Sequence, residues 1–306
     1  MSDRFNYLEI GDELPRPAPA PAAEERGPDS APGWKPLRLR AVEVIGDPGT
    51  GVGQFAAPTG LAVDRDGTLY VADSNNHRVQ RIALNGDVKV YGRPGSAPGQ
   101  MWGPVAVAVD PTGQFVYVAD QGNNRVQCFH FLGQCRGAIG GFRSPSGVAF
   151  DAEGMLWIAD TGQSRLLRFN PRNNQFIGGM DQAVGIVRPL SVACDHAHNI
   201  YVTDGATSDV TRYTYFGVRA QALGEIRRLA DPRGVAVDSQ GRIYLAEAGA
   251  NRLHVFDAQG GSLLTYDSPN PRLGPFRAPS SVALGPNGEI YVADTLNQRI
   301  VRLAWD

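Results

Sequence analysis

The chain is poor in lysine, cysteine and long apolar runs. Lys35 and Lys89 are the only lysines, so positive charge is almost all arginine, and the formal net charge is −2. A non-specific nucleic-acid binder would usually be basic, so nucleic acid is not the expected partner. Cys128, Cys135 and Cys194 are the only cysteines. An odd, sparse set does not build a disulfide scaffold and suits a reducing compartment. Cys128 and Cys135 flank one turn, and their numbering sets them opposite each other across a hairpin. A bond between them would be strained at adjacent-strand distances, so free thiols are expected. No apolar run approaches the about 18 residues of a membrane helix, and no membrane insertion is expected. The stretch MSDRFNYLEIGDEL has neither a basic n-region nor an apolar h-region, so a cytoplasmic location is the expectation. No phosphate-cradling loop, dinucleotide fingerprint or serine elbow sits between a strand and a helix.

What the chain has instead is repetition. In residues 58–82, PTGLAVDRDGTLYVADSNNHRVQRI, short β-branched and aromatic runs are punctuated by Gly, Asn and Asp, which reads as hairpin-linked strands. The stretch recurs. Pro58, Pro104, Pro145, Pro189 and Pro232 each precede an acidic turn residue by six positions; Pro279 keeps the spacing, with Gly285 in place of the acid. The second run ends in Asp73, Asp120, Asp160, Asp204, Glu247 and Asp294. Five residues later stand Arg78, Arg125, Arg165, Asp209, Arg252 and Arg299. A period of about 40 to 47 residues is the length of a four-stranded propeller blade.

The pattern P-x-G-(V/L)-A-(V/F)-D, then Y-V-A-D, then N-x-R-(V/I) resembles the NHL repeat, with YVADSNNHRVQ, YVADQGNNRVQ and YVADTLNQRIV as close matches. The resemblance covers residues 37 to 306. It implies an all-β, six-bladed β-propeller of four-stranded blades. It does not fix function, because this propeller hosts enzymes, RNA binders and protein scaffolds. Blades are expected at 47–92, 93–141, 142–180, 181–225, 226–267 and 268–306, the last completed by the N-terminal strand Leu37–Gly46. That strand's context, AVEVIGDPGTGVGQ, aligns with DVKVYGRPGSAPGQ, and the last repeat stops after its third strand. Blade four is the most degenerate.

Residues 1–36 read as an extended tail. A linker, residues 15–36, is rich in Pro, Ala and charge and cannot bury a core. At about 3.1 Å per residue it would reach on the order of 60 Å. Ahead of it, Phe5, Tyr7, Leu8, Ile10 and Leu14 alternate partly with acids within residues 4–14, as in a peptide that docks on a partner.

Most repeated residues have structural roles. The position two after each Pro is small (Gly60, Ala106, Gly147, Ser191, Gly234, Ser281) because inner strands converge there. The position three before it is apolar (Phe55, Met101, Phe142, Ile186, Leu229, Phe276) and should pack between blades. The Asp–Arg pairs should tie the second hairpin turn. Around the axis the entrance ring is Thr59, Val105, Ser146, Leu190, Arg233 and Ser280, without His, carboxylate or Cys. The family's gluconolactonase-like members need acidic and amide side chains around a divalent cation there, and its amidating-lyase-like members need several His around zinc. Neither set stands at matching positions, so no catalytic residue, metal ligand or cofactor is expected. His196 and His198, beside Cys194, read as turn residues in preference to ligands.

The upper face, built from crossover loops and strand two-to-three turns, is the remaining candidate. It offers Trp102, Arg93, Arg143, Arg188, Arg233, Arg277, Asn75 and Asn123. The expected function is a non-catalytic binding or scaffold protein, whose partner is another protein or a large multi-subunit assembly. The alternatives are a hydrolase or lyase using the axial channel, and an RNA binder using the upper face.

Overall fold

In the computed structural model, residues 37–220, 229–267 and 274–306 are described here; the tail and its docking peptide lie outside them. Leu37–Asp306 forms one compact unit. Among the described residues its antiparallel sheets are six, each a blade with the innermost strand beginning at the repeated proline. Blade one runs Pro58–Val63, Leu69–Asp73, Arg78–Ile82 and Val88–Tyr91. Blade two runs Pro104–Val109, Phe115–Asp120, Arg125–His130 and Cys135–Ile139. Blade three begins at Pro145, blade four at Pro189, blade five at Pro232 and blade six at Pro279.

The last blade takes its outer strand from the other end of the chain. Leu39–Ile45 pairs antiparallel with Arg299–Trp305, from Ile45 opposite Ile300 to Leu39 opposite Trp305, with an irregularity between Ala41 and Glu43. The pairing reaches two residues beyond Leu303 because Trp305 is itself anchored, its Nε1 donating to the Tyr244 hydroxyl of blade five. Leu39 is buried with Leu253, Phe276 and Leu303 between blades five and six.

Blade four departs from the four-stranded expectation. Among the described residues it has three strands, and beyond the third only an isolated bridge joins Tyr213 to Arg219. An outermost strand has one neighbour and the least burial to hold it. The cysteine hairpin also differs. An irregularity between Cys128 and Phe129 sets Cys128 opposite Gly137 and Cys135 opposite Phe129, so the two cysteines are not cross-strand partners. All three cysteines are free thiols.

The core is a ring of six clusters, one per blade interface. Phe55, Met101, Phe142, Ile186, Leu229 and Phe276 are all buried, each in a different cluster. Phe55, for example, joins Leu61 and Val71 of blade one to Tyr291 and Ile300 of blade six. At the axis the small positions alternate: Gly60, Gly147 and Gly234 on odd blades, Ala106, Ser191 and Ser281 on even ones. A Cβ on Gly60 would stand 2.5 Å from the Ala106 Cα, and one on Gly234 2.5 Å from the Ser281 Cα. Close approach of inner strands therefore requires glycine on one side of each contact.

Deleting residues 1–46 should lower the melting temperature, because burial of Leu39 alone contributes about 2 kcal/mol and an unpaired edge is exposed. A fall of roughly 5 °C or more is expected. Deleting residues 1–36, which spares the strand, should leave melting near wild type. Equal melting of both truncations, measured by circular dichroism, would show that the strand contributes nothing.

Candidate binding face and axial channel

The upper face is positioned by six buried carboxylates. Asp73, Asp120, Asp160, Asp204, Glu247 and Asp294 are nearly inaccessible. Each accepts the backbone N–H of the residue two before the inner-strand proline of its own blade: Ala56, Trp102, Arg143, Val187, Ala230 and Arg277, at 2.7–2.8 Å. In five blades the paired arginine binds the same carboxylate through Nε, at 2.5–2.8 Å. Its other nitrogens reach the crossover loop: Arg78 donates to Thr50 O, Gly51 O and Gln54 O, and Arg125 to Ser96 O, Ala97 O and Gln100 O. The pair thus ties the incoming crossover to the blade, as well as the hairpin turn. Gln80 and Gln127, fully buried, bridge the same carboxylates and loops. In blade four, where Asp209 replaces arginine, the Asp204 oxygens instead accept four N–H groups, from Val187, Arg188, Ala206 and Thr207.

One carboxylate shows the balance of forces. Burial alone would push the Glu247 carboxyl up, but contacts with His254, Arg252 and the Ala230 N–H outweigh it and hold it down at about 2.

The caps fix the backbone and leave the side chains outside. Trp102 is 52% exposed. Its ring stacks on His77 of the preceding blade, with centroids 4.3 Å apart and planes 12° from parallel. His77 is fixed in turn: its Nδ1 accepts the Gly103 N–H at 2.9 Å, leaving the proton on Nε2. Arg143 and Arg277 occupy the register of Trp102 in their own blades and are exposed. Arg188 is exposed and donates to Gly205 O. Arg233 pairs with Asp231 at 2.9 Å on the open surface. Arg93 is exposed and follows the outer strand of blade one, away from the axis. Asn75 is exposed at the tip of its turn. Asn123 does not offer its amide outward: it donates to Gly95 O and to Asp120, the role of Asn76 in blade one. The residue in register with Asn75 is Gly122. Two exposed apolar residues of this face escaped the sequence reading, Val52 in the first crossover and Leu296 at a turn tip. Leu296 stands in register with Asn75, and that exchange was the available signal.

Charge is segregated by topology. Arg143, Arg188, Arg233 and Arg277 lie within two residues of the inner-strand prolines, hence at the mouth; Asp47, Asp181 and Asp267 directly follow or nearly follow outer strands, hence at the perimeter. Among the described residues, Asp231 is the solvent-accessible acid at the mouth, the six cap carboxylates there being buried.

Below the mouth lies an axial cavity of about 240 Å³, lined by all six residues of the entrance ring. The hydroxyls of the entrance ring are engaged. Thr59 meets Ser74 at 2.5 Å, Ser146 meets Thr161 at 2.5 Å and Ser280 meets Thr295 at 2.6 Å. Ser74, Thr161 and Thr295 donate to the carbonyls of Pro104, Pro189 and Pro58, each on a neighbouring blade. Ser191, Ser281, Gln121 and Arg233 are the other polar side chains of the lining, and Ser281 Oγ accepts the Leu61 N–H at 3.2 Å. A hydroxyl bonded to hydroxyls and carbonyls has no base to activate it. Among the described residues no group of three or more His, Cys, Asp or Glu is arranged to hold a metal ion. His198 instead meets Tyr215 edge-on, and burial pushes the Cys194 thiol up.

These features define a six-bladed propeller whose blades are fixed by a repeated carboxylate cap and whose mouth carries the variable side chains. The chain belongs to the NHL-repeat family. The NHL repeat model matches residues 55–82, 101–129, 229–256 and 276–303, the first, second, fifth and sixth blades. NHL-repeat-containing protein 4 of Mus musculus is 32% identical over 115 residues, 36% of this chain and 81% of the relative. E3 ubiquitin-protein ligase TRIM32 of Homo sapiens is 23% identical over 314 residues, which cover 92% of this chain but 46% of the ligase, less than half its length. A gluconolactonase structure from Xanthomonas campestris aligns with TM-score 0.66 at 16% identity, covering 89% of this chain and 98% of that one. At that identity the likeness shows the fold alone.

The cap makes a pH prediction. Because the folded Glu247 value lies below the ordinary one of 4.5, its stabilisation is full above about pH 4.5 and is lost as pH falls towards about 2. Glu247→Gln should cost on the order of 3 kcal/mol at pH 7. The gap from wild type, measured by denaturant unfolding, should narrow steadily from pH 5 to pH 3; a constant gap would show that the charge is not what stabilises the cap.

Proposed function

We propose that the chain is a non-catalytic binding propeller that engages a protein partner through its upper face. The observation that carries this reading is Trp102: a half-exposed ring held flat on His77, at a mouth bearing four arginines whose counter-charges lie mostly at the perimeter. Tryptophan and arginine are the side chains most enriched among residues that dominate interfaces, and a ring fixed beforehand loses little entropy on binding. Val187, Val52 and Leu296 add exposed apolar surface on the same side. The mouth suits an acidic segment of the partner. The channel supports the non-catalytic side of the proposal, because the hydroxyls of its entrance ring, Thr59, Ser146 and Ser280, are bonded to neighbouring hydroxyls. The tail residues Phe5, Tyr7, Leu8, Ile10 and Leu14 form a second docking element in this proposal, and a cytoplasmic setting goes with the free thiols.

Photo-crosslinking from position 296 in native cells tests the face, with position 84 on the lower face as control. A protein captured from 296 and not from 84 is expected. Trp102→Ala combined with Arg277→Glu should weaken that complex about a hundredfold or more. Crosslinks to RNA alone from position 296 would replace the proposal with the RNA reading, and capture from 84 alone would place the interface on the other side.

The tail is tested separately. Removing residues 1–30 should leave the melting temperature near wild type and lower recovery of the same partner about tenfold or more, through loss of a linked second contact. Undiminished recovery would remove the tail from the proposal.

A further inference from the structure

The lower face, formed by strand one-to-two and three-to-four turns, carries its own sixfold pattern. In every blade an aromatic residue of the second strand stands directly opposite one fixed position of the third: Tyr70 with Arg81, Tyr117 with Cys128, Trp157 with Arg168, Tyr201 with Arg212, Tyr244 with Val255 and Tyr291 with Arg302. Four blades thus set a guanidinium against the ring. Arg81 donates to the Tyr70 hydroxyl, and Arg168 lies over Trp157 while binding Asp151. In blade five, where Val255 cannot, Arg242 comes from the neighbouring turn and lies over Tyr244 and Trp305. Blade two has neither device: the position is Cys128, and among the described residues no arginine stacks on Tyr117.

The missing guanidinium leaves space. Between blades two and three there is a cleft of about 470 Å³. The matching interface of blades six and one, where Arg302 is present, holds about 260 Å³. Phe115, Tyr117 and Phe150 wall the cleft, Tyr117 and Phe150 meeting edge to face at 5.4 Å, and Pro111 and Pro171 add to its lining. Cys128 forms part of the wall, and burial pushes its thiol up, which keeps it uncharged at neutral pH. Arg172 stands in the lining. It donates to the Glu153 carbonyl at 3.3 Å, but the Glu153 carboxylate is already taken by Arg168 and Tyr215, at 2.9 and 2.7 Å. The other acid, Asp110, accepts from the Thr112 hydroxyl and the Phe115 N–H. Arg172 lines the aromatic cleft, and among the described residues no carboxylate lies within ion-pair distance of its side chain.

We propose that this cleft is a binding site for a small, flat aromatic molecule carrying one anionic group, the aromatic walls taking the ring system and Arg172 the anion. The volume falls within the range of roughly 300–1,000 Å³ of small-molecule pockets, whose usual make-up is apolar and aromatic walls with a few placed polar groups; of the three charged residues in the lining, Asp110, Glu153 and Arg172, only Arg172 can bind an anion. The site is independent of the upper face.

The test uses 1-naphthoate and its neutral analogue 1-naphthamide as probes, titrated calorimetrically into the full chain. Saturable one-to-one binding of naphthoate, tighter than naphthamide, is expected. Arg172→Ala should weaken naphthoate about tenfold, the size of one charge-assisted hydrogen bond, and change naphthamide less than about twofold. Cys128→Arg, which restores the residue four other blades carry, should refill the cleft and abolish binding of both. The proposal fails if neither probe saturates at millimolar concentration, if both bind wild type equally, or if folded Cys128→Arg binds undiminished. If Cys128→Arg does not fold, Arg172→Ala, an exchange of a side chain at the surface, decides the proposal: equal loss of both probes, or loss of neither, overturns it.

Discussion

The structure depends on a carboxylate that cannot reach water. Each blade ends its second strand with a buried Asp or Glu, and each spends it on the N–H of the crossover arriving from the blade before. A buried carboxylate without partners would be strongly unfavourable. The chain must therefore bring the crossover, in five blades the arginine and, in two blades, a buried glutamine to the same point. That requirement couples the loop of one blade to the hairpin of the same blade, and it sets where the inner-strand proline falls. The axial contact follows: with the prolines placed, neighbouring inner strands approach so closely that Gly60 and Gly234 admit no Cβ.

Because five of the six blades answer this requirement with the same carboxylate–arginine pair, and blade four with the same carboxylate, the repeat was legible in the sequence. The proline-to-acid spacing, the apolar residue three before the proline and the small residue two after it all have the places and packing that their chemistry implied. The completion of blade six by Leu39–Ile45 followed from counting strands. The entrance ring was also legible, since six residues after six prolines must converge if the strands do.

What was not legible depended on register and on pairs of blades. One bulge between Cys128 and Phe129 moves Cys135 off its expected partner, and nothing in the residue types announces it. Asn123 looked equivalent to Asn75, yet it is the third residue of its turn and binds inward as Asn76 does. The stack of His77 on Trp102 joins residues 25 positions apart on different blades. The cleft at Cys128 exists only by contrast with arginines in other blades. Such features belong to the alignment of repeats against one another, not to any single repeat.

That contrast explains where function can reside in a fold held this uniformly. The cap uses the backbone N–H of residues 56, 102, 143, 187, 230 and 277, and asks nothing of their side chains. Those positions accordingly vary among Ala, Trp, Arg, Val, Ala and Arg while their backbones superimpose in role. The same holds at the turn tips, where Asn75 and Leu296 share one register. On the lower face the fixed element is the second-strand aromatic, and the side chain opposite it is free to be Arg, Cys or Val. A rigid backbone that presents unconstrained side chains on both rims lets a single exchange create a platform, as at Trp102, or open a cleft, as at Cys128, without disturbing the interfaces that hold the ring.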